Sequence, residues 1–427
     1  MNRRGDYGGN KMILEFRCSN FRSIKNEICF SSIASSDNSY ENRLINYLKY
    51  RVLRTAVIYG ANGSGKSNII KAIDFMKALV CESHKHEPGQ LIYQPVHKLA
   101  TTEPTVFRMQ FVRKNIRYAY GFSLIDNNVM DEYLYYFPNG KQVRIFERNG
   151  LKIIPGNQFK SFFGLALDAL KDNRLFLSCA ANFSKVSEIE EVFQFFRDDI
   201  VIYSSYNPAQ PDIWRNYSID KLQKDESVKS VFLGILHDLN TGIVNISAKH
   251  ERVKIETDNA PKDFPEELKL FFARQEVDRC EAKINYGLFE TDLVGEESAG
   301  INKLFEILCP IIDIVKSGKV LFCDELEYGL HEAIVVKILN MFNALSTDNQ
   351  AQLFFSTHDT SLLDKDLFRR DQVWFTELDE ERATKLYSLS EIKNVRKTEN
   401  IEKGYLAGKY GAIPVINQGI SKFFDEE

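Results

Sequence analysis

The segment Gly60-Ala61-Asn62-Gly63-Ser64-Gly65-Lys66-Ser67 constrains this chain more than any other. It fits Gly-x-x-x-x-Gly-Lys-Ser/Thr, a pattern that works in one setting: a buried strand that stops, a loop that curls and a helix that starts. Both flanks are present. Thr55-Ala56-Val57-Ile58-Tyr59 is a short run suited to a buried strand, and Ser67 to Val80 has the periodicity of an amphipathic helix. Glycines let the backbone curl so that successive N–H groups point at phosphate oxygens, and the helix N-terminus adds the positive end of its dipole. In that geometry Lys66 reaches the β- and γ-phosphates of a nucleoside triphosphate and the Ser67 hydroxyl reaches Mg2+. The candidate nucleotide contacts are Gly60, Asn62, Gly63, Ser64, Gly65, Lys66, Ser67 and Asn68.

Two later strands complete the chemistry. Val320-Leu321-Phe322-Cys323 is apolar throughout, as a parallel strand buried on both faces must be, and it runs into Asp324-Glu325. In an open α/β sheet the carboxyl ends of the strands hold the ligand, so Asp324 is placed to hold Mg2+ and Glu325 to accept a proton from an attacking water. Leu353-Phe354-Phe355-Ser356-Thr357 ends in His358, whose ring N–H is suited to reading a terminal phosphate at neutral pH.

Composition sets the class. The 427 residues are enough for two or three domains, and 44% apolar with 27% charged residues is ordinary for a folded soluble protein. Fifty-five basic against 59 acidic side chains leave a net charge of −4, which argues against a chain built to coat DNA or an anionic membrane. The best apolar run, Ile307 to Val315, is broken by Pro310 and Asp313, so no membrane span is expected. The first residues lead into no signal-peptide core. Seven cysteines, an odd number without a Cys-x-x-Cys pair, read as reduced thiols and a cytoplasmic location. Cys81-Glu82-Ser83-His84-Lys85-His86-Glu87 offers metal-ligand types, but without a second ligand pair it reads as a solvated loop after a helix.

Residues 1–11 are polar and unpatterned, an expected disordered extension. Ile13–Cys18 reads as a strand with Ile28–Phe30 as its hairpin partner, and Ser31–Asn42 as a loop. Alternating segments over 105–150, separated by Asp126-Asn127-Asn128 and Pro138-Asn139-Gly140, read as a β-meander. Residues 158–240 turn helical, with Phe193, Phe195 and Phe196 as core. Strand signals return at Ile243–Ile255 and Ile284–Phe289, joined by a polar connection expected to be helical. Strand and helix then alternate through Val320–Cys323, Ala333–Asn343, Leu353–Ser356 and Val373–Phe375, so the class is α/β.

These motifs, together with Ser19-Asn20-Phe21-Arg22-Ser23-Ile24, resemble ABC-type ATPases of the SMC, RecF and OLD branch. The nearer resemblance is to the AAA-type ATP-binding proteins of bacterial anti-phage defence operons, and it covers nearly everything from Met12 onward. It implies that Arg22 lies near the nucleotide. Glu297-Ser298-Ala299-Gly300, by itself a helix N-cap with small neighbours opening Ile301–Leu308, is similar to the family's degenerate signature motif. There Ser298 and Gly300 would touch the γ-phosphate held by the opposite subunit. Asp324 to His331 resembles a Walker B segment running into a D-loop, which would place Glu327 and His331 at a dimer seam. Tyr405 to Pro414 resembles a C-terminal signature of the defence-type ATPases. Two departures stand out. Gln94 and Gln110 both qualify for the lobe-switch loop, and Glu-Ser-Ala-Gly differs from the Leu-Ser-Gly-Gly of transporters.

The resemblance implies an ABC-ATPase head, a P-loop NTPase fold with a β-meander subdomain and a helical insertion. Its lobes would be residues 12–155 and 283–427, with the insertion or lid at 156–282, too short and too poor in heptads for an SMC arm. The implied activity is Mg2+-dependent ATP binding and hydrolysis by a homodimer of heads or a higher oligomer. It would act as a sensor or scaffold controlling a separate effector in anti-phage defence. A nuclease on the same chain, in the OLD manner, is disfavoured because too little chain follows His358, where Asp364-Lys365-Asp366 reads as a solvated loop. A Toprim-type nuclease would then be the partner. The alternative is a RecF- or SMC-like repair ATPase that binds DNA, which a basic stripe would support and the near-neutral composition opposes.

Overall fold

Thr55–Gly60, Val320–Cys323 and Gln352–Ser356 are apolar along almost their whole length, and each is buried at every position. Runs of this kind suit parallel strands covered on both faces. They form the centre of a six-stranded sheet whose order is Ile200–Tyr203, Val320–Cys323, Gln352–Ser356, Thr55–Gly60, Val373–Leu378 and Thr384–Ser388. The first five strands run parallel and the last is an antiparallel edge. The register sets Cys323 beside Phe355 and Ser356 beside Ile58, so the chain leaves these strands along one rim. Helix Lys66–Glu82 follows the phosphate loop, buries Ile69, Ile70, Ile73 and Met76, and was expected from Ser67 to Val80.

The computed structural model describes residues 9–204, 206–254, 276–346, 348–396 and 399–413. Two compact units divide the chain: Met1–Ser204 with Ser317–Glu327 and Val335–Glu427, and Ser205–Lys316 with Tyr328–Ile334. Residues 1–8 of the expected extension lie outside the described residues, and the first strand already starts at Lys11.

In the first unit the expected meander is a seven-stranded antiparallel sheet. Its order is Lys152–Pro155, Val143–Asn149, Asn128–Phe137, Ile116–Ile125, Thr105–Arg113, Lys11–Ser19 and Ile28–Ser31. Alternation explains its one-sided core: along Thr105–Arg113, Phe107, Met109 and Phe111 point inward. Gln352 ties the Lys11–Ser19 strand to the parallel sheet. Its side chain accepts from Ile13 N–H at 2.8 Å and donates to Leu53 C=O at 2.9 Å. Phe195 stacks on Phe111 with ring centroids 4.2 Å apart, and Phe193, Phe195 and Phe196 are core as expected. Glu132 and Arg148 form an ion pair without solvent exposure. The Glu132 carboxylate also accepts from Tyr120 Oη and from the N–H groups of Phe176 and Leu177, capping helix Phe176–Phe183. Burial pushes its pKa up, against the pull of Arg148 and those donors.

Several strands lie where none was expected. Ile200–Tyr203 emerges from the helical stretch to become an edge of the parallel sheet, and Leu44–Tyr47 pairs with Tyr50–Leu53 in a small hairpin. In the second unit Asn245–Lys254 pairs with Glu276–Asn285, so the latter part of the connection expected to be helical is strand. The period of two in Cys280, Ala282 and Ile284, alternating with Arg279, Glu281 and Lys283, is the physical reason. Residues 255–275 of that connection lie outside the described residues. The strand expected over Ile284–Phe289 ends at Asn285, turns, and resumes as Glu290–Asp292. The helix opened by Ser298 runs from Ala299 to Ser317, through Pro310 and well past Leu308, with Phe305 packed on Phe232. Among the described residues no helix is long and apolar enough to cross a membrane.

Candidate functional site

The phosphate loop is shaped by backbone and held by hydroxyls. Gly63 and Gly65 adopt φ of +78° and +105°, a region that side chains disfavour, and a Cβ on Gly65 would lie 2.1 Å from Thr384 Oγ1. Thr384 Oγ1 donates to Ser64 C=O at 3.0 Å, and Ser64 Oγ lies 2.6 Å from Thr376 Oγ1. Ser23 Oγ joins this brace, 2.7 Å from Thr384 Oγ1, and accepts from the Asn68 amide at 2.7 Å. Asn62 stands exposed at the loop tip, and Ser67 lies in the first turn of the helix.

Lys66 is buried and folded over its own loop, donating to Gly60 C=O at 2.8 Å and Ala61 C=O at 3.3 Å. Burial brings its pKa down to about 8, although Asp324, Glu325 and Glu327 pull the other way. An ammonium held among carbonyls with its charge under this strain is poised for an anion. Its Nζ lies 3.5 Å from His358 Nδ1. Burial and the Lys66 charge lower the His358 pKa, so the ring is neutral at pH 7.

Asp324 follows its strand immediately and is almost fully buried, with Oδ1 accepting from Ser356 Oγ at 2.6 Å. Glu325 takes a left-handed φ of +54°, and its N–H donates to the same Ser356 Oγ at 2.9 Å. Its Oε1 lies 3.9 Å from His358 Nε2. Glu327 Oε1 accepts from the His358 N–H at 2.6 Å, while its Oε2 is buried without a hydrogen-bond partner among the described residues.

Arg22 is exposed, in a left-handed turn with φ of +54°, and its N–H donates to Pro95 C=O at 2.6 Å. Lys71, on the helix after the phosphate loop, has its pKa lowered by burial and then by the Arg22 charge. The contact to Pro95 also sets Gln94 beside this turn, with Oε1 buried and unpartnered among the described residues. Gln110 instead sits in the meander, bonded to Arg117 and Glu15. The site residues Gly60 to Asn68, Asp324, Glu325 and His358 therefore come together in the first unit. Ser298 and Gly300 lie in the second, where exposed Ser298 accepts from Ile301 N–H at 3.3 Å and caps its helix.

Sequence reasoning missed Ser356, Thr376, Thr384 and Ser23. The tail motif also acquires a structural role, although Pro414 lies outside the described residues. Tyr405 stacks on Phe375 at 5.5 Å and donates to Ala412 C=O, and Tyr387 Oη donates to Tyr410 C=O at 2.9 Å. Gly411 to Ile413 thereby line a cavity of about 310 Å³ with Ala61, Asn62 and Ser64. A larger one of about 610 Å³ lies between Gly60 to Asn62, His358 and Tyr405. In the Cys81–Glu87 segment His84 Nδ1 lies 3.1 Å from Ser178 Oγ, and His86 Nδ1 lies 2.9 Å from Asn173 C=O. Asp366 accepts from Tyr40 Oη at 3.0 Å.

The donor set fits a phosphate chain with a divalent cation: a glycine cradle, a buried ammonium, a helix-opening serine and a buried carboxylate at a strand end. The family described as "AAA domain, putative AbiEii toxin, Type IV TA system" matches residues 56–364. No curated protein matches. Among solved structures, an SMC head bound to the C-winged helix domain of ScpA is similar at 13% identity, covering 88% of this chain and 97% of that one, with a TM-score of 0.42. The SMC head domain from Thermotoga maritima is similar at 13% identity, with 88% and 98% coverage and a TM-score of 0.42. An Smc head domain with an extended coiled coil, bound to the C-terminal domain of ScpA derived from Pyrococcus furiosus, gives 12% identity, 94% and 99% coverage and a TM-score of 0.39.

Proposed function

This chain belongs to the AAA-domain family that matches it from 56 to 364, and from that premise we propose that it is a Mg2+-dependent ATPase whose heads pair around ATP to control an effector. The observation that carries the reading is the convergence of Lys66, Asp324, Glu325 and His358 on one sheet rim beside the glycine loop. The loop N–H groups and the helix dipole hold the phosphates, and Lys66 exchanges its carbonyl partners for β- and γ-oxygens. Ser67 and Asp324 would hold the Mg2+, which when bound would supply positive charge to offset the charge developing on the phosphates. Glu325 takes the proton of the attacking water. Neutral His358 donates to the γ-phosphate, held in place through its backbone by Glu327. Arg22 borders the nucleotide, and Gln94, not Gln110, serves the lobe switch.

Ser298 and Gly300 complete the site of a second copy, so ATP binding closes a pair of heads and hydrolysis reopens it. The family description, which names a putative toxin of a toxin–antitoxin system, supports a role in bacterial defence. The effector in this reading is a separate partner such as a Toprim-type nuclease. Replacing Lys66 tests the reading at its root. Lys66→Ala removes a charge-assisted phosphate contact of about 1.5–3 kcal/mol, so calorimetry should show ATP affinity about 10- to 150-fold weaker. Wild-type affinity in the variant would overturn the assignment.

A further inference from the structure

The strand ladder between Val320–Cys323 and Gln352–Ser356 ends with Cys323 opposite Phe355. Beyond that pair Ser356 takes over. Its fully buried hydroxyl donates to Asp324 Oδ1 at 2.6 Å and accepts from Glu325 N–H at 2.9 Å, and its carbonyl accepts from Leu326 N–H at 3.3 Å. Three bonds in the turn after the Asp324 strand run to this one residue. Glu325 needs the support, because its left-handed φ of +54° is unfavourable for a side chain of that size. We propose that Ser356 is the positioning residue that couples the metal-holding carboxylate of Asp324 to the placement of Glu325. The inference rests on the ATPase reading above.

One oxygen bonded to both groups makes them move together. A carboxylate whose rotation is fixed by a buried hydroxyl meets a cation in one orientation, and the hydroxyl that fixes it also sets where the Glu325 backbone begins. Among the described residues Ser356 makes no hydrogen bond to Lys66 or the glycine loop, so nucleotide binding without metal is independent of it. Partners of this kind, one bond removed from a metal, are worth about 10- to 100-fold in metal affinity or activity.

The test uses Ser356→Ala with Ser356→Thr, which keeps the hydroxyl, and Ser356→Cys, which keeps the volume. ADP affinity is measured by calorimetry without divalent cation, and Mn2+ is then titrated onto the ADP-loaded protein and followed by electron paramagnetic resonance. Ser356→Ala should keep the metal-free ADP affinity, bind Mn2+ about 10- to 100-fold more weakly, and lose turnover with little change in KM for ATP. Ser356→Thr should return Mn2+ affinity to within a few-fold of wild type. If Ser356→Ala does not fold, Ser356→Cys carries the same comparison. Equal Mn2+ affinity in wild type and the hydroxyl-less variants, or an equal loss of metal-free ADP affinity, overturns the role of Ser356 alone. A wild type that binds no ADP overturns the ATPase reading beneath it.

Discussion

The first unit hides its chemistry and the second displays it. Lys66, Asp324 and Ser356 are buried, Lys66 bonded to its own loop and Ser356 to Asp324, so the proposed phosphate site is preformed. Ser298 stands exposed at a helix start, in a unit where Leu288 is 96% exposed and Val244, Phe289 and Val294 are also bare. Yet the approach to Ser298 is not loose. Glu297 accepts from Tyr286 Oη at 3.0 Å and from Thr291 Oγ1, which fixes the segment before the helix. A buried constellation can be read for what it binds. Under the proposed function, an exposed but well-fixed one would be half of a site that a second copy completes.

The largest expected effect isolates the buried half. Glu325→Gln keeps size and hydrogen bonding but removes the base, so phosphate release should fall about 10²- to 10⁴-fold while ATP still binds. Normal turnover in this variant would remove Glu325 from its role. The exposed half is probed by mixing two damaged chains, Lys66→Ala and Ser298→Arg. In a mixed pair both lesions fall in one composite site and the other is intact, so activity per mixed pair should rise from near zero to at most about half of wild type when the two sites act independently. Differently tagged chains establish that exchange has occurred. Activity that stays at the sum of the two parents would count against completion of the site by Ser298. The smallest effect concerns the brace. Thr384→Val removes one neutral hydrogen bond to the phosphate loop, about 0.5–1.5 kcal/mol, and ATP affinity should weaken by about 2- to 10-fold. A drop as large as that of Lys66→Ala would mean the loop collapses without Thr384.

The contrast also explains what could be read in advance. The glycine loop, Asp324-Glu325 and His358 each end an apolar run, so local pattern was enough to find them. Ser356 ended such a run too, but one hydroxyl between Phe355 and Thr357 carries no signal until the Asp324 strand is laid beside it. Thr376 and Thr384 are joined to Ser64 across more than 300 residues of chain, a distance that local pattern cannot span. Ile200–Tyr203 was lost for a different reason: four residues directly after a helix are too few to announce a change of period. The same brevity hid Leu44–Tyr47 and Tyr50–Leu53. Gln94 stands next to Pro95, which is joined to Arg22 by a backbone bond made by atoms every residue has, so its place beside that turn could not be read from sequence pattern.

Ile200–Tyr203 has a mechanical consequence. The chain leaves the carboxyl end of that strand at Ser204, makes its long excursion, and re-enters at the amino end of the parallel neighbour, Val320–Cys323. Tyr203 C=O also accepts from the N–H of Asp324 at 2.9 Å. Tension applied through the excursion therefore pulls the two strands past each other lengthwise. It loads their ladder in shear, with the bonds sharing the force at once, where a peeling load would open them singly. The bond on Asp324 lies at the end where the excursion departs and shares that load, so a pull there would strain the backbone that carries the Asp324 carboxylate.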